Sequence, residues 1–205
     1  MHAYLQESEY AVRGLFDLIG TEQIQCEDKL VEIQVKTLEY RRAKNILNAG
    51  APMSGFGENT TPYFEKKAQT ARRQVRLLEF EVASLKASVE TKEFSISSIA
   101  GAILQIAKQG MSIVHGSFVK CPSGRYVGRE TLKNVIWQGR NQSIHWEEGR
   151  FSEPVTACFT QLKLDFGERF NLDHIPAKNC AKDILDVLNW KAYLNFETDM
   201  QQLIQ

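Results

Sequence analysis

The chain has 205 residues and balances 25 Lys+Arg against 25 Asp+Glu, for a formal net charge of zero. That balance excludes a protein that coats nucleic acid through bulk charge, while leaving room for a local basic groove. An ordinary hydrophobic content of 43% allows a sizeable core, in one large domain or in a domain with a long appendage.

Four cysteines, Cys26, Cys121, Cys158 and Cys180, lie far apart, with no Cys-x-x-Cys pair and no His/Cys cluster at zinc spacing. Neither a metal nor another cofactor is expected. Met1 to Glu9 is polar and lacks the apolar run of a secretory signal. The cysteines are therefore expected to be reduced thiols of a cytoplasmic protein. The most apolar stretch, 96–114, is interrupted by Gln105, Lys108 and Gln109. It reads as a buried core helix and not as a membrane span, so no membrane partner is expected.

In chain order, the first element is a long helix. Leu5, Val12, Ile19, Cys26, Ile33, Tyr40 and Leu47 recur every seven residues, and Leu15, Phe16, Leu30 and Leu38 widen the stripe. Gly14 and Gly20 are the points at which it could break. "NAGAPMSGFGENTTP" is a loop by its Gly, Pro and polar content, and Thr60 or Thr61 before Pro62 marks the next helix start. Phe64, Ala68, Ala71, Val75, Leu78, Val82, Leu85 and Val89 then alternate four- and three-residue steps, which is the seam of a left-handed coiled coil. Residues 62–92 would reach roughly 46 Å as a helix. Two heptad segments around a flexible loop predict an antiparallel hairpin over 1–93. An amphipathic pair laid on the body is the alternative.

Residues 94–205 are expected to form a compact helical body, with one domain continuous with the hairpin as the alternative. Ser95 to Val114 is one apolar helix, which could continue the coiled-coil helix. "HGSFVKCPSGRYVGRE" is a connection, in which "RYVG" could be extended but has no obvious partner. Helices are then expected from Thr131 to about Glu148, from Ser152 to about Phe170, over 178–189 and over about 191–203, with Trp190 at the last joint. "NLDHIPAK" is a loop. The fold class is all-α: a helical bundle with a long heptad-patterned N-terminal hairpin.

One stretch carries candidate chemistry. "GRNQSIHWEEG" places Arg140, Asn141 and His145 late in the helix that starts at Thr131. Val135, Ile136 and Ile144 are its natural inward positions. From 120 to 140 the chain holds Lys120, Arg125, Arg129, Lys133 and Arg140 against the single acid Glu130, so a neutral protein gathers positive charge beside this histidine. Arg125, Arg129 and Lys133 are the candidate phosphate-binding cations of this run, and become candidate RNA-binding residues under the family resemblance that follows.

Arg140-Asn141, three further residues and His145 in a helical domain resemble the signature of the HEPN ribonucleases, over residues 94–203 at most. The resemblance implies a helical bundle, homodimerisation and metal-independent RNA cleavage. It also implies a toxin or antiviral defence effector, in some relatives restrained by an antitoxin or other protein partner. The residue types suit that chemistry. An imidazole titrates near neutral pH and can move the 2′-hydroxyl proton or protonate the leaving 5′-oxygen. A guanidinium can hold the non-bridging oxygens as charge builds on them. Asn141 lies four residues before His145 and shares its helix face. Arg140 and His145 stand about 140° apart around an ideal helix. Two copies about a two-fold axis would combine them more readily than one.

Plainer roles remain open for the same residues. Arg140 could pair with Glu147 or Glu148, His145 could be structural, and Arg129 and Lys133 could form a solvated face. His115 at a helix C-terminus suits the dipole, and His174 in its loop is a weaker phosphate candidate. Trp137, Trp146 and Trp190 are expected in the core or an interface more than as base-stacking platforms. The rival function is a non-catalytic helical interaction or scaffold protein using the coiled-coil surface. An RNA-binding regulator without cleavage is the third reading.

Overall fold

The computed structural model describes residues 2–49, 61–173 and 178–204. Its helices, in chain order among those residues, are α1 (Ala3–Ala49), α2 (Thr61–His115), α3 (Leu132–His145), α4 (Glu153–Phe166), α5 (Ala181–Val187) and α6 (Tyr193–Leu203). With 81% helix and almost no strand, the protein is all-α. Most of the glycine-rich loop and His174 lie outside the described residues.

The heptad stripe carries α1 through Gly14 and Gly20 without a break. Each glycine costs about 1 kcal/mol against Ala in a helix, which burial of Leu5, Val12, Phe16 and Ile19 outweighs. The coiled-coil segment and the apolar segment after it form the single helix α2.

The chain divides into two compact units, and both long helices contribute to each. One unit comprises 1–22 with 94–205. Its core joins Leu5, Val12 and Phe16 of α1 to Ile103, Leu104 and Met111 of α2, and these to Ile136, Phe159, Ile184 and Phe196 from the later helices. Tyr4 Oη donates to the Ile106 carbonyl (2.7 Å), fixing the start of α1 against α2.

The other unit comprises 23–93. Here α1 and α2 run antiparallel, because early residues of one meet late residues of the other. Lys92 Nζ donates to Gln25 Oε1 (2.5 Å), Lys36 Nζ lies 3.1 Å from Glu81, and Tyr40 Oη donates to Glu79 (3.1 Å). Cys26, Ala43, Ala71, Leu78 and Val89 are buried along the seam, in agreement with the 4-3 spacing of α2. Leu30 and Leu38, expected to widen the buried stripe, are 44% and 52% exposed. Two helices can cover only one narrow face of each other, so residues off the seam stay in solvent.

The connection before α3 departs from the sequence expectation. "RYVG" does find a partner: Tyr126–Val127 pairs antiparallel with Glu130–Thr131. Strands of two residues are too short to display alternation, so their pairing left no sequence pattern. The turn requires Gly128, whose φ is +62° and whose added Cβ would lie 2.5 Å from Asp165 Oδ2. Thr131 then caps α3, its hydroxyl accepting from the Asn134 amide (3.4 Å). A 3-10 turn, Trp146–Glu148, closes at Gly149 (φ +64°), as that glycine predicted. The next helix stops at Phe166, short of 170, because Gly167 (φ +94°) diverts the chain into a separate 3-10 turn, Glu168–Phe170. The last two helices are shorter than the expected spans, and Trp190 is buried between them.

Candidate active site on α3

α3 is held from one side by close packing and from another by a buried amide. Gly139 lets Ile184 of α5 approach so closely that a Cβ there would meet its Cγ1 at 3.0 Å. Gln142 is fully buried: its Nε2 donates to the Lys178 carbonyl (2.6 Å), and its Oε1 accepts from the Cys180 amide (3.0 Å). A single side chain therefore satisfies two backbone groups ahead of α5, where unmade bonds would cost about 1–3 kcal/mol each. This clamp fixes the rotation of α3 and with it the direction of its outer residues.

Those outer residues include all three of the motif. Arg140 and Asn141 are half-buried, and the His145 side chain is 50% exposed. Arg140 Nε donates to Gln105 Oε1 on α2 (2.6 Å), and its Nη1 donates to Asn141 Oδ1 (3.2 Å). His145 Nδ1 lies 2.6 Å from Glu148 Oε1, one turn later. Glu148 fixes the ring and, with a proton on Nδ1, accepts it. No described residue bonds Nε2. Arg140 thus pairs with an amide and not with Glu147 or Glu148, and it is the histidine that takes the glutamate.

A relay runs along the helix behind the motif. Asn141 Nδ2 donates to Gln138 Oε1 (3.3 Å), Gln138 Nε2 to Asn134 Oδ1 (3.2 Å), and Asn134 Nδ2 to Glu130 Oε2 (2.7 Å). Every donor points toward Glu130. The aligned amide dipoles therefore connect the Arg140 cation to the Glu130 carboxylate just ahead of α3, and each bond polarises the next. Sequence reasoning passed over this ladder. Its signal was present: Asn134, Gln138 and Asn141 are spaced four and three on one face of α3, and Glu130 lies four residues before Asn134, just ahead of the helix. Gln105 was passed over as a partner of Arg140, and Glu148 was considered for Arg140 where it pairs with His145.

The three candidate RNA-binding cations are not gathered with the motif by any contact among the described residues, and each is engaged within the fold. Arg125 grips Asp199 of α6 through two bonds of 2.7 Å and also donates to the Leu188 carbonyl (2.8 Å). Asp199 is nearly buried and accepts a third bond from Trp190 Nε1 (2.8 Å). Arg129 binds Asp165 through its Nε (2.7 Å) and its backbone amide (2.9 Å). These bonds, the backbone amide first, hold the Asp165 carboxyl below the usual carboxylate range. Lys133 Nζ donates to the Cys121 carbonyl (2.8 Å) and sits over the Phe118 ring.

Ile144, expected inward, is 45% exposed, because the Gln142 clamp turns the other face of α3 to the core. Trp190 is buried, while Trp137 meets Phe118 edge-on at 5.2 Å and Trp146 meets Phe94 at 6.3 Å. His115 Nε2 lies 2.6 Å from the Leu203 carbonyl and so ties the end of α2 to α6. All four cysteines are buried and none is in a disulfide. No described helix is long and apolar enough to cross a membrane. No group of three His, Cys, Asp or Glu side chains suited to a metal ion occurs among the described residues.

Comparison with known protein families, with curated proteins and with solved structures finds no match to this chain.

Proposed function

We propose that the protein is a metal-independent endoribonuclease of HEPN type that cuts RNA by 2′-hydroxyl attack and acts as a toxin or defence effector. The observation that carries this reading is the state of His145. It is half-exposed, its Nδ1 is held by Glu148, and its Nε2 is open to solvent-side contact. A carboxylate-oriented imidazole of this kind suits proton transfer. Arg140 supports the reading as well, since Gln105 and Asn141 fix the guanidinium while leaving Nη2 with no described partner.

In the proposed step, His145 Nε2 takes the 2′-hydroxyl proton and the 2′-oxygen attacks phosphorus. The bond to the 5′-oxygen breaks, and that oxygen takes a proton from a protonated imidazole, that of the same His145, which has just taken the 2′ proton, or that of the second copy's His145. Arg140 holds the non-bridging oxygens, and Asn141 keeps the guanidinium in place. The products are a 2′,3′-cyclic phosphate and a 5′-hydroxyl. Because Arg140 and His145 stand about 140° apart on an ideal helix, two chains supplying one group each is the geometry expected.

The test is incubation of purified protein with total RNA in EDTA, beside Arg140→Ala and His145→Ala. Cleavage abolished by both substitutions, with cyclic phosphate ends, is the expected result. Equal background from all three proteins would instead favour the interaction-protein reading, which draws on the exposed apolar positions of the hairpin unit.

A further inference from the structure

Beyond the Tyr40–Glu79 hydrogen bond, toward the loop that joins its two helices, the hairpin unit carries one sign of charge. α1 supplies Arg41, Arg42 and Lys44 there, and α2 supplies Lys66, Lys67, Arg72, Arg73 and Arg76. All eight are exposed, and Glu65 is the one acid among the described residues of this end. A chain with 25 bases and 25 acids therefore gathers positive charge at one end of one unit. The field of such a patch reaches about 8 Å at physiological salt and draws polyanions.

These cations are also uncommitted. Lys44 donates to Tyr40 Oη (3.2 Å), while the side chains of the other seven bond to and pair with no described residue. The basic run of the body is the opposite case, since Arg125, Arg129, Lys133 and Arg140 each hold a carboxylate, carbonyl or amide. On α2, Lys66, Arg73 and Arg76 project away from the seam of Ala71 and Leu78, with Arg72 at their edge. Arg72 and Arg76 stand four residues apart, a like-charge spacing that opposes the helix and that a phosphate between them relieves. Phe80, 75% exposed, projects between Arg73 and Arg76 on the same face, one turn beyond Arg76. Cations that follow a backbone beside an open aromatic ring are the parts of a single-strand site, in which the ring takes a base.

We infer that this end of the hairpin binds single-stranded RNA, with Arg72, Arg73 and Arg76 on its phosphates and a base stacked on Phe80. Five of the eight cations are arginines, whose planar guanidinium grips a phosphate through two bonds. A duplex keeps its bases stacked inside and offers Phe80 no ring to cover. A membrane surface calls for a continuous apolar face, and here the exposed Ile46, Leu77 and Phe80 are divided by the cations. That the strand is RNA rests on the ribonuclease reading above, while the surface itself rests on the hairpin unit alone.

The test measures fluorescence anisotropy of a labelled RNA strand of about 20 nucleotides, longer than one such site needs. The full chain carries His145→Ala, so that cleavage does not interfere, and the titration is repeated across a salt series. In that background Arg72→Gln/Arg73→Gln/Arg76→Gln should weaken binding by about a hundredfold. It should also lower the log–log salt slope by about 2, since each phosphate contact on a single strand contributes about 0.7. Phe80→Ala should cost about tenfold on the single strand and leave binding of a duplex RNA unchanged. Lys163→Gln/Lys182→Gln/Lys191→Gln removes as much charge from the body and should change binding by about twofold at most. Circular dichroism of each variant reports whether the helices persist. A triple arginine variant that binds as its parent does, tighter binding of duplex RNA or of single-stranded DNA, or attachment to anionic vesicles without binding to RNA would each overturn the proposal. Retained RNA binding beside a wild type that cuts no RNA would support this surface and remove the ribonuclease reading alone.

Discussion

The two units are built from the same two long helices and differ in how many neighbours each helix has. In the body, α1 and α2 are covered by four further helices, and Leu104, Phe159, Leu162 and Phe196 are fully buried. Among the described residues of the hairpin unit, the two helices have only each other. Leu78 is buried on the seam, yet Leu77 beside it is 50% exposed and Phe80 is 75% exposed. Identical sequence periodicity therefore produces a closed core in one unit and a single seam in the other. Cooperative stability follows surface covered on all sides, so the body should hold its structure more firmly than the hairpin.

The sharpest way to break that contrast uses one substitution in both units. Leu162→Ala should cost about 4–5 kcal/mol, because the surrounding helices cannot collapse into the void. Leu78→Ala should cost about 2 kcal/mol, because a two-helix seam relaxes toward the gap. Equal losses in denaturant titrations would remove the distinction. The ion pairs give a smaller version of the same test. Arg125→Ala leaves Asp199 nearly buried with Trp190 as its remaining bond and should cost about 3 kcal/mol. Lys36→Ala removes a solvent-facing bridge to Glu81 in the hairpin and should change thermal unfolding little.

Thiol labelling compares the units without substitution. Burial pushes Cys180 up to about 12 and raises Cys121 and Cys158 as well. Their reaction at mildly alkaline pH therefore waits on opening of the body. Cys26 lies on the hairpin seam and should react first, by about tenfold or more if local opening there is easier. Mass spectrometry of a labelling time course reads the order, and simultaneous labelling of all four would contradict it. The smallest effect is on pH dependence. Asp165 titrates below its unfolded value, so the stability it contributes is present above the ordinary carboxylate range and is lost as pH falls through its depressed folded value. Asp165→Asn should therefore flatten the acid limb of a melting-temperature profile and leave the neutral limb with the same slope.

The candidate site divides in a similar way between what spacing reveals and what it hides. That Arg140, Asn141 and His145 occupy one helix, and that Glu148 lies one turn beyond the histidine, can be read from the order of residues alone. The direction Ile144 faces could not be read there. An isoleucine at helical spacing is apolar whichever way it points, and the buried Gln142, which decides the rotation of α3, looks polar and therefore external. Arg125, Arg129 and Lys133 form a basic run in sequence, while their carboxylate and carbonyl partners come from α6, α4 and the connection before α3.

By itself, then, the sequence determined the helical class, the heptad seam of α2 and the helix that carries the motif. These depend on the 3.6-residue period and on local stop signals, which act over a few residues. Only the tertiary structure decided that the first turns of α1 join the core of the body, that Gln105 meets Arg140, and that Asp199 and Asp165 neutralise two of the nearby arginines. Such contacts join residues tens of positions apart. Their energy comes from shape and charge matched across helices, and no periodicity within one segment encodes which distant side chain will be there.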